Sequence, residues 1–429
     1  MDLKEKCFFI LKHSTALKVN STINNLGKKV ANACLTYKKI NSVLKKQLFS
    51  LVFFIGIFGQ LFSQQKVSCS FAAQKTRDSV AAELRNQIEA TIFLPFNKVS
   101  YQKYAGAFWA MELMLYRPDG YPKKIPEQIL QLPFLSPDFQ RSFLEMLFTL
   151  YQGQFVKEIT DVWPKLATDK VKAMALEYLA AKNIFPLIFE VDSFYKTAYG
   201  KIYYERWKQK KNVLPSKRAF LDTTFLPGET VLCSFQSTNR NFPGYLMIRN
   251  ESGKWVADDK GKPLKFAQLA RSMSNLPYYI TNGNTPQGLY KITGMDFSVN
   301  NWIGPTTNLQ MIMPFENGSS DFFGNDTAYI EHYKNLLSPL AKYHDLMESF
   351  VAGRLGRSEI IAHGTTIDPA FYKKQPFYPN TPSLGCLCSP EIWDKNGTRI
   401  FSAQMEWINA IKKLGQQPVY LIVAEVNHL

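Results

Sequence analysis

The 429-residue chain is poor in the residues that build metal centres and disulfide scaffolds, with six cysteines and five histidines. Cys7 and Cys34 fall in a lysine-rich leader, which leaves Cys69, Cys233, Cys386 and Cys388. Four cysteines are too few to staple a small scaffold, and a chain of this length does not need staples. Cys386 and Cys388 have no further Cys or His at zinc-site spacing. Cysteines two residues apart also meet disulfide geometry poorly. No fixed-period repeat is visible, so a solenoid has no sequence signature behind it. Acidic residues are the scarcer charge, 35 against 51 basic, for a net of +16. Such an excess suggests a polyanion partner. Residues 1–46, however, hold ten lysines against Asp2 and Glu5, so half of the excess sits in the leader. The rest of the composition is globular: 46% hydrophobic, 20% charged and 14% aromatic. That excludes a disordered or collagen-like chain, and with the length it predicts two domains.

Residues 48–62, LFSLVFFIGIFGQLF, are uncharged and follow Lys45-Lys46. A basic flank, a short apolar stretch and a small residue at the exit describe a secretory signal cleaved near Ser63. The run falls short of the roughly 20 apolar residues of a spanning helix. Anchoring in the membrane through this same segment is the alternative to cleavage. The expected location is exported, periplasmic or in the cell envelope. The expected organisation is a leader at 1–64, an α-helical domain at 65–195, a basic linker at 196–227 and a β-rich domain at 228–429.

The spacing between about 73 and 190 is helical. Ser136-Pro137-Asp138 reads as an N-cap with proline in the first turn. Phe139, Phe143, Met146, Leu147 and Leu150 then recur at steps of three and four, on one helix face. Thr168-Asp169 opens another helix with Val171, Met174, Ala175, Tyr178 and Leu179 inward. These stripes predict packed helical hairpins. The basic run Arg206, Lys208, Lys210, Lys211, Lys217 and Arg218 is expected as a solvated helix face or linker, and no nucleic-acid partner is expected.

After residue 220 short β-rich runs appear, TVLCSF, YLMIRN, LPYYIT, GLYKIT and LQMIMPF, separated by turn residues. A helical insertion at about 327–355 interrupts them, as a lid or a buttress. His332 and His344 fall on it and are expected at the surface.

Three segments of this β-rich half carry chemistry: Asn284-Thr285-Pro286-Gln287-Gly288-Leu289-Tyr290, His363-Gly364-Thr365, and Ser383-Leu384-Gly385-Cys386-Leu387-Cys388. A cysteine nucleophile needs a base and backbone amides aimed at the developing oxyanion. Glycine before Cys386 permits the tight turn such amides require. His363 is the natural base. Structural thiols, or pairing of Cys386 or Cys388 with Cys69 or Cys233, are the alternatives. Pro286 and Gly288 also have a plain turn explanation.

The order TPxGxY, HGT, SxGC resembles the L,D-transpeptidase catalytic domain, the peptidoglycan cross-linking family with a cysteine nucleophile, over roughly residues 228–428. The resemblance implies a β-sandwich-like fold, so the whole chain is expected as α+β. It implies Cys386 as nucleophile, His363 as base and the Gly364 carbonyl as the group that orients the imidazole. Amides around Leu384, Gly385 and Cys386 would form the oxyanion hole, with Ser383 and Thr365 near substrate. The partners implied are peptidoglycan stem peptides, and no metal or organic cofactor is implied. Two positions depart from the family: Leu384 replaces the histidine of SHGC, and Cys388 stands where an arginine is usual. Three functions stay open: an acyltransferase, a stem-peptide hydrolase such as an L,D-carboxypeptidase using the same pair, and a non-catalytic envelope-binding protein.

Overall fold

A computed structural model describes residues 67–181, 191–208, 213–324 and 330–427. The leader and its apolar run, Lys210, Lys211 and the first residues of the expected insertion lie outside the described residues. Among the described residues no helix is long and apolar enough to cross a membrane.

Helices α1 (Gln74–Thr91), α2 (Tyr101–Met114), α3 (Ile125–Gln131), α4 (Pro137–Leu150), α5 (Val156–Val162), α6 (Asp169–Ala180), α7 (Val191–Phe194) and α8 (Ala198–Lys208) come first. Their starts follow the local chemistry. Ser136 Oγ accepts from the Phe139 amide and Thr168 Oγ1 from the Val171 amide, each satisfying a donor that a helix start leaves orphaned. The expected stripes on α4 and α6 are buried against each other, with Phe143, Leu147, Met174 and Leu179 fully enclosed. Within the basic run, α8 packs on α6, and Arg206, still exposed, reaches Glu177 Oε1 with its Nε at 3.3 Å.

The β-rich half contains β1 (Val231–Gln236), β2 (Gly244–Arg249), β3 (Phe266–Gln268), β4 (Gly288–Phe297), β5 (Thr307–Ile312), β6 (Ala362–His363), β7 (Leu387–Cys388), β8 (Glu391–Trp393), β9 (Arg399–Ser402) and β10 (Tyr420–Glu425). Eight of these form one sheet in the order β3-β2-β1-β10-β4-β5-β6-β7, and β8 and β9 pair separately. The protein is therefore mixed α/β. The strands do not divide into the two packed sheets of a sandwich. The large sheet instead curls until its edges meet: Leu269, just past β3, exchanges both backbone hydrogen bonds with Cys388 of β7, at 2.8 and 2.9 Å. That bridge satisfies the backbone groups of those two residues, which an open edge would leave exposed. β10 lies parallel to β1 at the middle of the sheet, and its run Leu421–Ala424 is buried on both faces.

Helices α10 (Ile330–Leu337) and α11 (Glu348–Arg354) fall in the expected insertion, α9 (Ser319–Phe323) lies just before it, and α12 (Ala403–Leu414) precedes β10. One apolar cluster joins β1 and β10 to α10 and α11, and another joins them to α12. The run LPYYIT is a turn where a strand was expected. Its Leu276, Tyr279 and Ile280 are buried in the core of the helices, and tertiary packing overrides their β propensity. From Val67 onward the chain is one compact unit.

Candidate active site

β6 and β7 run parallel, with Ala362 opposite Leu387 and His363 opposite Cys388. Cys386 directly precedes β7, two residues before the register partner of His363. The Leu387 amide donates to the Ile361 carbonyl at 3.0 Å. The Cys386 sulfur accepts from the Ile361 amide, and its S–H faces the Glu359 carbonyl at 3.6 Å.

His363 is buried, and its Nδ1 lies 2.5 Å from the carbonyl oxygen of Gly364. A carbonyl only accepts, so Nδ1 carries the proton and Nε2 keeps its lone pair. Burial lowers the imidazole pKa, opposed by the hydrogen bond to Gly364. The ring is therefore neutral near pH 7, the state a general base requires. Burial also pushes the Cys386 thiol up to about 11, opposed by the Ile361 amide and the Arg357 guanidinium. A thiol so placed needs a base at the moment of reaction and is not a resting thiolate.

The Ser383–Cys386 loop is held from several sides. Ser383 Oγ donates to the Cys386 carbonyl at 2.8 Å and accepts from the Gly385 amide at 3.1 Å. Thr285 Oγ1 donates to the Gly385 carbonyl at 2.8 Å, which ties the first motif to the third. Gly385 has φ +116°, a conformation side chains disfavour, and a β-carbon there would meet Arg357 Nη2 and the Gly283 carbonyl. The amides of Leu384 and Cys386 are thus the loop donors left for an oxyanion. Leu384 is exposed at the tip. Thr365 is buried, with its hydroxyl accepting from Thr381 Oγ1 and from the Ile367 amide, so it acts inside the fold. Cys388 is buried beside Thr381 Oγ1 at 3.7 Å, and Thr381 is buried with it. All four cysteines of the described residues are free thiols.

Two residues that the sequence reading did not single out support this arrangement. Arg357 donates to the carbonyls of Tyr278, Gly283 and Asn284, placing a fixed positive charge behind Gly385. Glu391, on β8, accepts from the Thr365 amide at 3.0 Å and from Thr306 and Ser402. Arg357 carries no local signature, because its role depends on a loop some seventy residues upstream. His332 and His344 are exposed. A cavity of about 730 Å³ opens beside the first motif, bounded by Asn284, Thr285 and Gln287, but neither Cys386 nor His363 lines it.

Comparison with protein-family models, with curated proteins and with solved structures gives no match.

Proposed function

We propose that the protein is a cysteine acyltransferase of the L,D-transpeptidase kind, exported to act on peptidoglycan stem peptides. The observation that carries this reading is the Gly364 carbonyl on His363 Nδ1, which leaves Nε2 as a base on the strand next to β7, whose first residue follows Cys386. In the reaction the thiol leaves the Glu359 carbonyl and gives its proton to Nε2. Sulfur attacks the carbonyl carbon of the third stem residue, and the oxyanion is met by the Leu384 and Cys386 amides. Collapse breaks the amide bond, the imidazolium returns its proton to the departing D-alanine amine, and a thioester remains on Cys386. An amine of a second stem then displaces sulfur, with His363 taking the ammonium proton. On this reading the curled sheet is a variant of the family's sandwich-like domain, and Arg357 supplies the positive field that Cys388 cannot.

The test is intact-protein mass spectrometry after incubation with a disaccharide-tetrapeptide, wild type beside Cys386→Ala. A thioester-sized adduct or D-alanine release confined to the wild type supports the proposal. Neither signal, with Cys386 reduced and the protein folded, refutes it for this substrate. A free amine that diverts product from hydrolysis to aminolysis separates the transferase from a carboxypeptidase.

A further inference from the structure

The cavity beside the first motif has a charge of its own. It lies among α6, α8, the 284–287 segment, α11 and the end of β10. Its walls carry five carboxyl groups, on Glu177, Glu205, Asp345, Glu348 and Glu425, against the guanidiniums of Arg206 and Arg240 and the imidazole of His344. Both guanidiniums are already engaged: Arg206 Nε lies 3.3 Å from Glu177, and Arg240 Nε lies 2.8 Å from Glu425. Glu348 has no cation at ion-pair distance among the described residues. Its carboxyl group accepts from the Gln287 amide at 2.8 Å and faces Gln287 Nε2 at 3.4 Å. The cavity thus keeps an acidic excess in a chain whose net charge is +16. Its volume is far larger than a bare ion, and among the described residues no three His, Cys, Asp or Glu side chains are placed to hold a metal. Trp207 adds an aromatic ring to the wall, a surface that favours an ammonium group, while the Tyr278 ring already lies under the Arg206 guanidinium at 6.0 Å.

We propose that this cavity binds an organic cation through a protonated primary amine, with Glu348 as its anchor. Glu348 is surrounded by Glu425 of β10, Arg240 after β1, Asp345 before α11, Arg206 of α8, and Tyr278, Tyr290, Tyr333 and Arg357. Burial, and then Glu425, raise its pKa to about 8, so near pH 7 it carries a proton. An arriving ammonium group stabilises the carboxylate, and the Glu348 proton leaves to solvent. Affinity therefore rises with pH until Glu348 is ionised in the free protein.

The test is titration calorimetry of the purified protein with 1,5-diaminopentane at pH 7, in two buffers of different ionisation enthalpy. Saturable binding with release of about one proton, and affinity that climbs toward pH 8, is the expected result. Glu348→Gln should weaken binding about tenfold or more, and glutarate, a dianion of the same length, should not bind. No saturable heat, no proton release, or unchanged affinity in a folded Glu348→Gln protein would each overturn the proposal. Should that variant not fold, proton release by the wild type decides. Because Cys386 and His363 do not line the cavity, this result and the acyl-enzyme result stand or fall separately.

Discussion

The main-chain amide of Thr365 donates to Glu391 Oε2 at 3.0 Å, which puts a buried carboxyl group directly beneath the turn that orients His363. Gly364 packs against that same carboxyl group, and a β-carbon at this position would collide with it. The glycine of the His-Gly pair is thus required by what lies under it. Thr306, Ser402 and Arg399 hold the Glu391 side chain from the other side, so it has little room to give.

Gly364→Ala should therefore push either Glu391 or the Gly364 carbonyl from its place. Overpacking of this kind costs about 1–3 kcal/mol. If the carbonyl moves, His363 Nδ1 loses the acceptor that fixes its tautomer. Nitrogen NMR of the imidazole should then change from a single Nδ1-protonated form to a mixture. A destabilised variant whose tautomer is unchanged would show that the glycine serves packing alone.

The Cys386 thiol, raised to about 11 by burial, predicts a particular alkylation profile. Iodoacetamide labelling of Cys386 should keep rising through pH 8 and pH 9 without levelling off, because only the thiolate reacts. Replacing Arg357 by methionine removes a charge that favours the thiolate, so labelling at a given pH should slow further. A plateau near pH 7 in the wild type would instead mark a resting thiolate–imidazolium pair, and the general-base order of steps would be wrong.

Much of the fold was legible because its signals are local. Ser136 and Thr168 cap the helices they announce, and the apolar steps on α4 and α6 face the core. What was not legible depends on distant partners. Leu276, Tyr279 and Ile280 look like strand residues and are drawn into the helical core by neighbours far earlier in the chain, such as Tyr199 and Glu177 against Tyr279. The closure of the sheet between Leu269 and Cys388 has no sequence mark either, since backbone hydrogen bonds make it. At the site, His363 and the Ser383–Cys386 loop were readable as motifs. Arg357 and Glu391 were not, because a positioning charge needs no fixed spacing from what it positions.

Thr285 offers a test of how the loop is held. Its Oγ1 donates to the Gly385 carbonyl across a hundred residues of sequence, and both groups are buried. Thr285→Val keeps the shape and leaves that carbonyl without its donor. A loss of about 1–3 kcal/mol is expected in urea unfolding. The rate of Cys386 acylation should fall by more than stability alone explains, because the loop amides lose their alignment. An acylation rate equal to wild type, in a protein destabilised as expected, would mean that the first motif is only structural.

Glu348 makes a prediction about stability that needs no ligand. Below the ordinary carboxyl range, folded and unfolded chains both carry its proton. Between that range and about pH 8 only the folded chain does, so folding is favoured less and less as pH rises across this window. Above about 8 the loss is complete. The slope is at most about 1.4 kcal/mol per pH unit for one group. Glu425 and Glu391 are also raised by burial and tilt the curve the same way, so the decisive quantity is the difference between wild type and Glu348→Gln. Urea unfolding at pH 5 and pH 8.5 should show the variant gaining on the wild type by a few kcal/mol at the higher pH. A constant difference across that range would mean that Glu348 is ionised throughout, and that some cation of the protein itself already compensates it.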